Sequence, residues 1–392
     1  MKRRLGYLAL AVLLNVPCLV LKAQVKGDPS LRQLPLLLPQ KKQGGHISAA
    51  LENLYARSLN RSQPSGGLPT TDGLEQYIQL VNGAVVVDIT VKEDLPGVTK
   101  RLQALGLQVT GSYGRVISGL LPVNAIPLLA IMPQVQYARP AYKPMHQRQQ
   151  VRPSMQRFTI LPAAKPVPVI SQGDTAQLSY QARKKMHVDG KGVKLGILSD
   201  SYDNLGTAAD GVRGGELPGA GNPFNDRKPV IVLQDLDNGT GTDEGRAMAE
   251  IVHDVAPGAE IAFHTAYLGQ ANFAQGIQQL ADKGCQVMVD DIFYYDEPFF
   301  QDGIIAQSVD QAKKRGVSYF SAAGNNFNNS YESDYRSSNA QLLGAGNGTA
   351  HNFSAPADLP RYYQPIYIPP GGSFIASFQW DQPSFSAGGR GA

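Results

Sequence analysis

The sequence is poor in cysteine, with only Cys18 and Cys285 among its 392 residues. Cys18 lies in an N-terminal segment that we expect to be removed, which leaves Cys285 without a partner in the mature chain. A disulfide framework is therefore excluded as the source of stability. We expect Cys285 to be a buried thiol, and we expect the fold to depend on a large hydrophobic core, for which this length suffices.

The sequence also has little net charge and no long basic run. It contains 36 Lys and Arg against 32 Asp and Glu, a formal net charge of +4, with 42% hydrophobic residues. This balance is typical of a globular protein and does not indicate a nucleic-acid partner. The segment GTGTDEG at 239–245 lacks the lysine of a phosphate-binding loop, and Asp243 and Glu244 within it would repel phosphate. Nucleotide binding is therefore disfavoured.

Long hydrophobic runs are absent after the first residues of the chain. Lys2–Arg4 form a basic start, Leu5–Leu14 an apolar core, and Leu21–Ala23 a plausible cleavage point. The apolar core is short for a bilayer span, so the pattern predicts a secretory signal peptide over residues 1–23, with a membrane anchor as the alternative. We therefore expect a secreted protein, extracellular or periplasmic, with no membrane span.

Alternation and turn signals predict a small α+β unit over residues 81–140. Apolar residues alternate along one strand face at Val85, Val87, Ile89 and Val91. A helix, two strands, a second helix and a last strand follow, and this β-α-β-β-α-β order is the ferredoxin-like split motif. The preceding region, 24–80, is predicted to be a linker region in which His46–Asn60 could form a short helix.

Strands and helices alternate from residue 174 to 343, after a linker at 141–173 that is rich in Pro, Gln and basic residues. Such alternation predicts a doubly wound α/β domain, with a parallel sheet covered on both faces. We expect Asn272 to be the N-cap of one of its helices. The pattern then changes, and residues 344–392 are predicted to be a β-rich insertion with a strand at Phe374–Trp380.

Polar side chains follow three strands of the predicted sheet, at the carboxyl ends where sites in parallel sheets form. Asp200 ends one strand, Asp290 and Asp291 end another, and Asn325 follows a third. Adjacent strand residues face opposite sides, so Asp290 and Asp291 are poorly placed to bind one ion. Either could face the cleft instead, and a structural or turn role is the alternative.

Three segments come in a particular order along the chain. VKLGILSDS carries Asp200, EGRAMAEIVHDVAPGAEI begins at Glu244, and SAAGNN carries Asn325. In this order they resemble the catalytic motifs of the subtilases, the subtilisin-like serine peptidases. The unit at 81–140 is similar to the subtilase propeptide, which assists folding and inhibits the enzyme until it is removed. The resemblance covers roughly residues 172–325 and implies a subtilisin-like fold.

The resemblance implies catalytic roles for these residues. Asp200 would be the catalytic aspartate and Asn325 the donor to the oxyanion, whereas Glu244 stands where the family has histidine. The related sedolisins use glutamate as the base in acid, supported by an aspartate one helical turn further on, where this chain has Met248. Asp200 would favour the protonated form of Glu244, and the helix N-terminus would favour the ionised form.

Two alternatives stand beside a catalytic Glu244. Glu244 could be a solvent-exposed acid that stabilises the first turn of a helix. His253 could replace the missing histidine, but it lies about 13 Å further along the helix at 1.5 Å per residue, where capping the other end is the more natural role. His264 and His351 have no motif context.

The sequence contains neither a Gly-Thr-Ser motif nor a Gly-x-Ser-x-Gly motif for a nucleophile. We therefore expect the chain to be truncated before the serine, and to be inactive by itself. The resulting prediction is a secreted subtilisin-like serine endopeptidase precursor, acting on proteins or peptides as a monomer, with no evident cofactor. Bound calcium is implied by the family resemblance only. The alternative is an inactive subtilase-fold protein that serves as a binding or scaffold module.

Overall fold

The computed structural model describes residues 46–59, 77–92, 95–144, 169–236, 239–324, 329–341, 349–355, 358–368, 370 and 376–381. The predicted signal peptide at 1–23 and Asn325 lie outside the described residues.

The helices and strands form two units and a short C-terminal pair. The first unit comprises α1 (Ala49–Leu59), β1 (Leu80–Val81), β2 (Ala84–Val91), α2 (Leu95–Ala104), β3 (Gln108–Tyr113), β4 (Val116–Pro122), a 3-10 turn (Val123–Ala125), α3 (Ile126–Ala130) and β5 (Val135–Pro140). The second comprises α4 (Gln172–Ala176), α5 (Ser179–Met186), β6 (Lys194–Ser199), α6 (Ala208–Gly214), β7 (Ile231–Gln234), α7 (Glu244–Val255), β8 (Glu260–Thr265), α8 (Gln270–Asp282), β9 (Val287–Asp290), α9 (Ile304–Lys314) and β10 (Ser318–Ser321). The pair is β11 (Ser337–Gln341) and β12 (Thr349–His351).

The first unit is an antiparallel sheet with helices packed on it, and the predicted β-α-β-β-α-β order is confirmed. β2 lies between β4 and β5, and β3 pairs with the far side of β4. The short helix expected near the N-terminus is α1. Its Leu51 is fully buried among the side chains of this unit. The region predicted as a linker therefore contributes a helix to the core.

β2 is buried along both of its faces. Val85, Val87 and Ile89 belong to the core of the first unit, as their alternation predicts. The opposite face, with Asp88 and Thr90, is also buried. That face packs toward the second unit. A strand whose sequence alternates between apolar and polar residues is therefore buried on both faces.

The second unit is a parallel sheet with the strand order β10-β9-β6-β8-β7, which confirms the predicted parallel sheet. Successive residues of a strand point to opposite faces. Ile197 of β6 accordingly packs with Ala249 of α7, whereas Leu198 packs with Phe273 of α8. Helices thus lie on both faces, and β6 is the central strand.

The two units meet at the N-terminus of α8, which lacks a side-chain cap of its own because Gly269 is the N-cap residue. The Asp88 carboxylate accepts a hydrogen bond from the backbone N–H of Gln270 (3.1 Å), and the Ser118 hydroxyl accepts one from Ala271 (2.9 Å). The prediction that Asn272 caps this helix was wrong, because groups from the first unit satisfy the first helical N–H donors.

Asn272 lies inside α8 instead. Its side-chain amide donates to the carbonyl of Thr110 and to the side-chain oxygen of Gln234, both at 2.8 Å. It therefore adds a further polar contact between the two units, three residues after the actual N-cap, Gly269.

The C-terminal part departs from the predicted β pattern. β11 and β12 form an antiparallel pair, but the strand predicted at Phe374–Trp380 is wrong over its described residues, 376–380, which form no ladder. Ser377 donates to the carbonyl of Tyr295, and Gln379 donates to that of Glu297. These side chains attach the segment to the loop after β9, so it need not pair as a strand.

Cys285 is buried, as predicted, and burial raises the pKa of its thiol to about 11. A thiol of this kind carries little thiolate at neutral pH and is poorly reactive. In the described part of the chain, no helix has both the length and the apolar character needed to cross a membrane.

Candidate active site

Asp200 directly follows β6, is fully buried, and accepts four hydrogen bonds. Its Oδ1 accepts from the backbone N–H groups of Ser201 (2.5 Å) and Glu244 (3.0 Å). Its Oδ2 accepts from the backbone N–H and the hydroxyl of Thr242, at 2.5 and 2.7 Å. A carboxylate offers about four acceptor positions, so these donors occupy all of them. Asp200 therefore ties the end of β6 to the start of α7.

A second buried carboxylate, Asp243, reinforces the same loop. It has a left-handed backbone (φ 58°), a conformation that Asp adopts more readily than most residues. Its Oδ1 accepts from the Ser201 hydroxyl (2.9 Å) and the backbone N–H of Asn204 (2.7 Å). Arg246 lies 3.1 Å from its other oxygen. The two loops that flank the start of α7 are thus held together by Asp200 and Asp243.

Glu244 is the first residue of α7 and is half-buried. It lines a pocket of about 190 Å³ at the carboxyl ends of β9 and β10, together with Asp291, Ile292, Phe293, Ala322, Ala323 and Gly324. One carboxylate oxygen of Glu244, Oε2, and one of Asp291, Oδ1, are buried from solvent. The pocket therefore brings two acidic side chains to one small space.

The predicted site residues are placed in different ways. Asp200 and Glu244 are neighbours, as expected, but the hydrogen bond between them joins the Asp200 carboxylate to the backbone N–H of Glu244. Asn325 is outside the described residues, and Gly324 directly before it lines the pocket. Met248, one turn after Glu244, packs against the hydrophobic core on that face of the sheet.

Asp290 and Asp291 point to different surroundings, as the alternation of strand residues predicts. Asp290 is buried and accepts from the Ser321 hydroxyl (2.9 Å) and from the backbone N–H of Ile292 (3.3 Å). Burial raises the pKa of the Asp290 carboxyl to about 6. Asp291 faces the pocket. The sequence indicates the pair but does not decide which of the two aspartates faces the cleft.

Histidines of the second unit lie elsewhere. His253 is buried near the end of α7, where its Nε2 lies 3.5 Å from Asp226, and burial lowers the pKa of its imidazole. His264 is buried with Nδ1 2.6 Å from the carbonyl of Thr265, and burial lowers the pKa of its imidazole to about 4. Among the described residues that line the pocket there is no histidine.

Calcium is implied by the resemblance alone, and the described residues leave its binding a prediction. Nowhere among them do three or more His, Cys, Asp or Glu side chains group as metal ligands would. The acidic residues near α7 instead accept hydrogen bonds from backbone donors, as Asp243 does from Asn204 and Leu205.

The fold and the site together describe an α/β protein with two pocket carboxylates at the carboxyl ends of a parallel sheet. No protein-family model and no curated protein matches the chain. Among solved structures it is similar to the epidermin leader peptide processing serine protease EpiP from Staphylococcus aureus, with 13% identity and a TM-score of 0.35 over 62% of this chain and 61% of that one.

Two further solved structures are similar to the chain. A serine-to-alanine mutant of EpiP has 14% identity and a TM-score of 0.32, with 61% of this chain and 60% of that one covered. The prenylagaramide maturation protease PagA has 13% identity and a TM-score of 0.26, with coverages of 38% and 51%. The match spans about three fifths of the length of the EpiP structures.

Proposed function

We propose that the chain belongs to a secreted, subtilisin-like serine endopeptidase precursor in which Glu244 is the general base. The observation that carries the proposal is the position of Glu244, which begins α7 and lines a pocket at the carboxyl ends of the parallel strands. The order of the three sequence motifs supports the same reading. In this proposal the substrates are proteins or peptides and the enzyme acts as a monomer.

The reaction would be serine acyl transfer. The Glu244 carboxylate takes the proton of a serine hydroxyl as the serine oxygen bonds to the peptide carbonyl carbon, and it returns the proton to the amine as the C–N bond breaks. The side-chain amide of Asn325 donates to the developing oxyanion, an interaction worth about 100-fold in rate. The nucleophile itself would come from a residue outside these 392, since no Gly-Thr-Ser motif occurs in the sequence.

In this proposal Asp200 supports the base indirectly. Its hydrogen bond to the backbone N–H of Glu244 and its two bonds to Thr242 hold the first turn of α7 against β6. The antiparallel unit would be the propeptide, and residues 1–23 would direct secretion. The antiparallel unit contacts α8 through Asp88 and Ser118, as expected of a propeptide that docks on the catalytic domain.

The test uses the whole protein as its gene encodes it, with a protein substrate such as casein. We predict that Glu244→Gln lowers kcat by about 100- to 10,000-fold, because the amide cannot accept the serine proton. Glu250→Gln, on the same helix but outside the pocket, serves as the matched control and should keep activity. Full activity of Glu244→Gln at every pH would overturn the assignment of the base.

A second candidate function is a catalytically inactive member of the fold that binds peptides or acts as a scaffold. It is favoured by the full use of the Asp200 acceptor positions, which leaves this residue no direct bond to a base side chain. Labelling of the whole protein by a fluorophosphonate probe separates the two functions. An activated serine reacts with this probe, whereas the inactive protein stays unlabelled and still binds peptide.

A further inference from the structure

The pocket that contains Glu244 has two walls that come from neighbouring strands. The first wall, residues 291–293, directly follows β9, and the second wall, residues 322–324, directly follows β10. The last residues of the two strands, Asp290 and Ser321, are partners in the parallel ladder. The relative position of the two walls therefore depends on how the ends of β9 and β10 are joined.

Asp290 joins the two strand ends through its side chain and its backbone. Its Oδ1 accepts from the hydroxyl of Ser321 (2.9 Å), and from the backbone N–H of Ile292 in the first wall (3.3 Å). Its backbone carbonyl accepts from the N–H of Ala322 in the second wall (3.0 Å). One residue is therefore hydrogen-bonded to both walls of the pocket.

The second wall gains little of its position from burial. Ser321 and residues 322–324 are exposed, whereas Asp290 is only 3% exposed. β10 is also the last strand at its edge of the described sheet. Hydrophobic packing contributes in proportion to the area buried, so polar contacts count for more at this strand end. Because hydrogen bonds to a carboxylate are stronger than those between neutral groups, the bond from Ser321 to Asp290 is well placed to fix the end of β10.

The segment that begins at Ser321 leads to the proposed oxyanion donor. Asn325 directly follows the second wall in the sequence. A donor to an oxyanion acts over a narrow range of distances, and a displacement of about 1 Å can lower a rate by about 100-fold. The proposed reaction therefore depends on where the end of β10 is held.

We propose that Asp290 is a positioning residue, whose buried carboxylate fixes the two pocket walls relative to each other and, through Ser321, sets the start of the segment that carries Asn325. Its effect on catalysis rests on the proposed function, whereas the joining of the walls does not. Asp290 is not among the described residues that line the pocket, so it acts through its partners and not on the substrate.

The first test is hydrogen exchange in the 392-residue chain, which needs no enzymatic activity. Asp290→Ala should accelerate exchange at Ile292 and Ala322 by about 10-fold, because one amide loses its acceptor and the other lies on the released strand end. The amide of Ser318 donates to the carbonyl of Gln286 at the other end of β10 and should exchange as in the wild-type chain.

Three further variants separate the bonds of Asp290 from a general loss of stability. Asp290→Asn keeps an oxygen acceptor at the same position and should restore most of the protection. Ser321→Ala removes only the bond to β10, so exchange should accelerate at Ala322 and not at Ile292. Asp310→Ala, on an exposed residue of α9, is the control and should change neither amide.

Two outcomes of the exchange experiment would overturn the joining of the walls. One is wild-type exchange at Ala322 in both Asp290→Ala and Ser321→Ala. The other is exchange in Asp290→Asn that is as fast as in Asp290→Ala, because the acceptor oxygen would then not be the cause.

The second test measures casein cleavage by the whole protein. Ser321→Ala and Asp290→Ala should lower kcat by about 10- to 100-fold with little change in KM, since an oxyanion donor acts in the transition state. Asp290→Asn should recover most of the loss. Wild-type kcat in Ser321→Ala, with Glu244→Gln inactive, would refute the positioning role alone. Wild-type activity in Glu244→Gln would refute the proposed base, whatever the exchange at Ala322 shows.

Discussion

The starts of α7 and α8 present the same physical problem with two different solutions. Neither helix has a side-chain cap from its own N-cap residue. In both, a buried aspartate from another element accepts the first backbone N–H donors. For α7 that residue is Asp200, at the end of the neighbouring strand β6. For α8 it is Asp88, which belongs to the antiparallel unit.

The two carboxylates differ in how well they are solvated by the protein. Asp200 has four donors. Asp88 accepts from Ser118 (2.5 Å) and from Gln270, and burial raises the pKa of its carboxyl to about 6 although Arg139 acts in the opposite direction. The start of α7 is therefore built into the parallel-sheet unit, whereas the start of α8 depends on the docked antiparallel unit.

The largest expected effect comes from Asp200→Ala. The substitution leaves three backbone N–H donors and a hydroxyl without their acceptor, at a cost of about 1–3 kcal/mol for each buried donor that stays unsatisfied. We predict that the free energy of unfolding falls by several kcal/mol in urea denaturation. Asp210→Ala, on an exposed residue, should change it by less than about 0.5 kcal/mol. Equal effects of the two would contradict the structural role of Asp200.

A middle-sized effect is expected from Gly111→Ala at the boundary between the units. A Cβ there would lie 2.5 Å from the Cα of Asn272, so the two backbones would have to separate. Overpacking of this kind costs about 1–3 kcal/mol. Hydrogen exchange at Gln270 and Ala271 should accelerate, because their acceptors move away.

Gly114→Ala is the control for that substitution. A Cβ at Gly114 meets nothing within 4 Å, although the positive φ of 56° strains the residue locally. Exchange at the α8 N-terminus should therefore stay as in the wild-type chain. Protection that is unchanged in Gly111→Ala would show that the close approach does not maintain the docking.

The smallest expected effect is a pH dependence that belongs to α8 alone. The pKa of Asp88 is raised from 3.8 to about 6, so the docked state binds more protons than the undocked state between these values. Stabilisation by this group is full below pH 3.8 and is lost as the pH rises through about 6. In the wild-type chain, the urea midpoint should therefore be higher at pH 4.5 than at pH 7.5 by more than it is in Asp88→Asn.

Asp88→Asn removes the group that titrates. The difference between the urea midpoints at pH 4.5 and pH 7.5 should therefore be smaller in the variant. An identical pH dependence in both proteins would contradict the contribution of Asp88. Exchange at the first N–H groups of α7 should not follow this titration, and a change there would erase the distinction between the two helix starts.

Local patterns predicted most of the elements. The strand expected from Val85, Val87, Ile89 and Val91 is β2, Ala84–Val91, and the helix expected to begin at Glu244 is α7. Periodicity and turn residues act over a few positions, so a single sequence carries them. The predicted cap Asn272 was wrong for the opposite reason, since its helix receives its cap from residues more than 150 positions earlier.

The candidate site, too, could be predicted from the sequence only in part. That Asp200 and Glu244 lie close together could be predicted, because the carboxyl ends of parallel strands share one edge of the sheet. The bond from the backbone N–H of Glu244 to Asp200, in place of a bond to the Glu244 side chain, could not be predicted. It depends on the path of the loop around Thr242. The catalytic roles of Asp200, Glu244 and Asn325 stay predictions.

By itself the sequence determined the order of most strands and helices and the acidic residue at the start of α7, because these follow from hydrophobic period and turn chemistry along the chain. Tertiary structure decided the surroundings of the carboxylates. Asp88 caps α8, the acceptor positions of Asp200 are filled by hydrogen-bond donors, and Asp291 rather than Asp290 lines the pocket. The reason is physical: a buried charge takes its partners from whichever donors packing brings within reach, however distant they are in sequence.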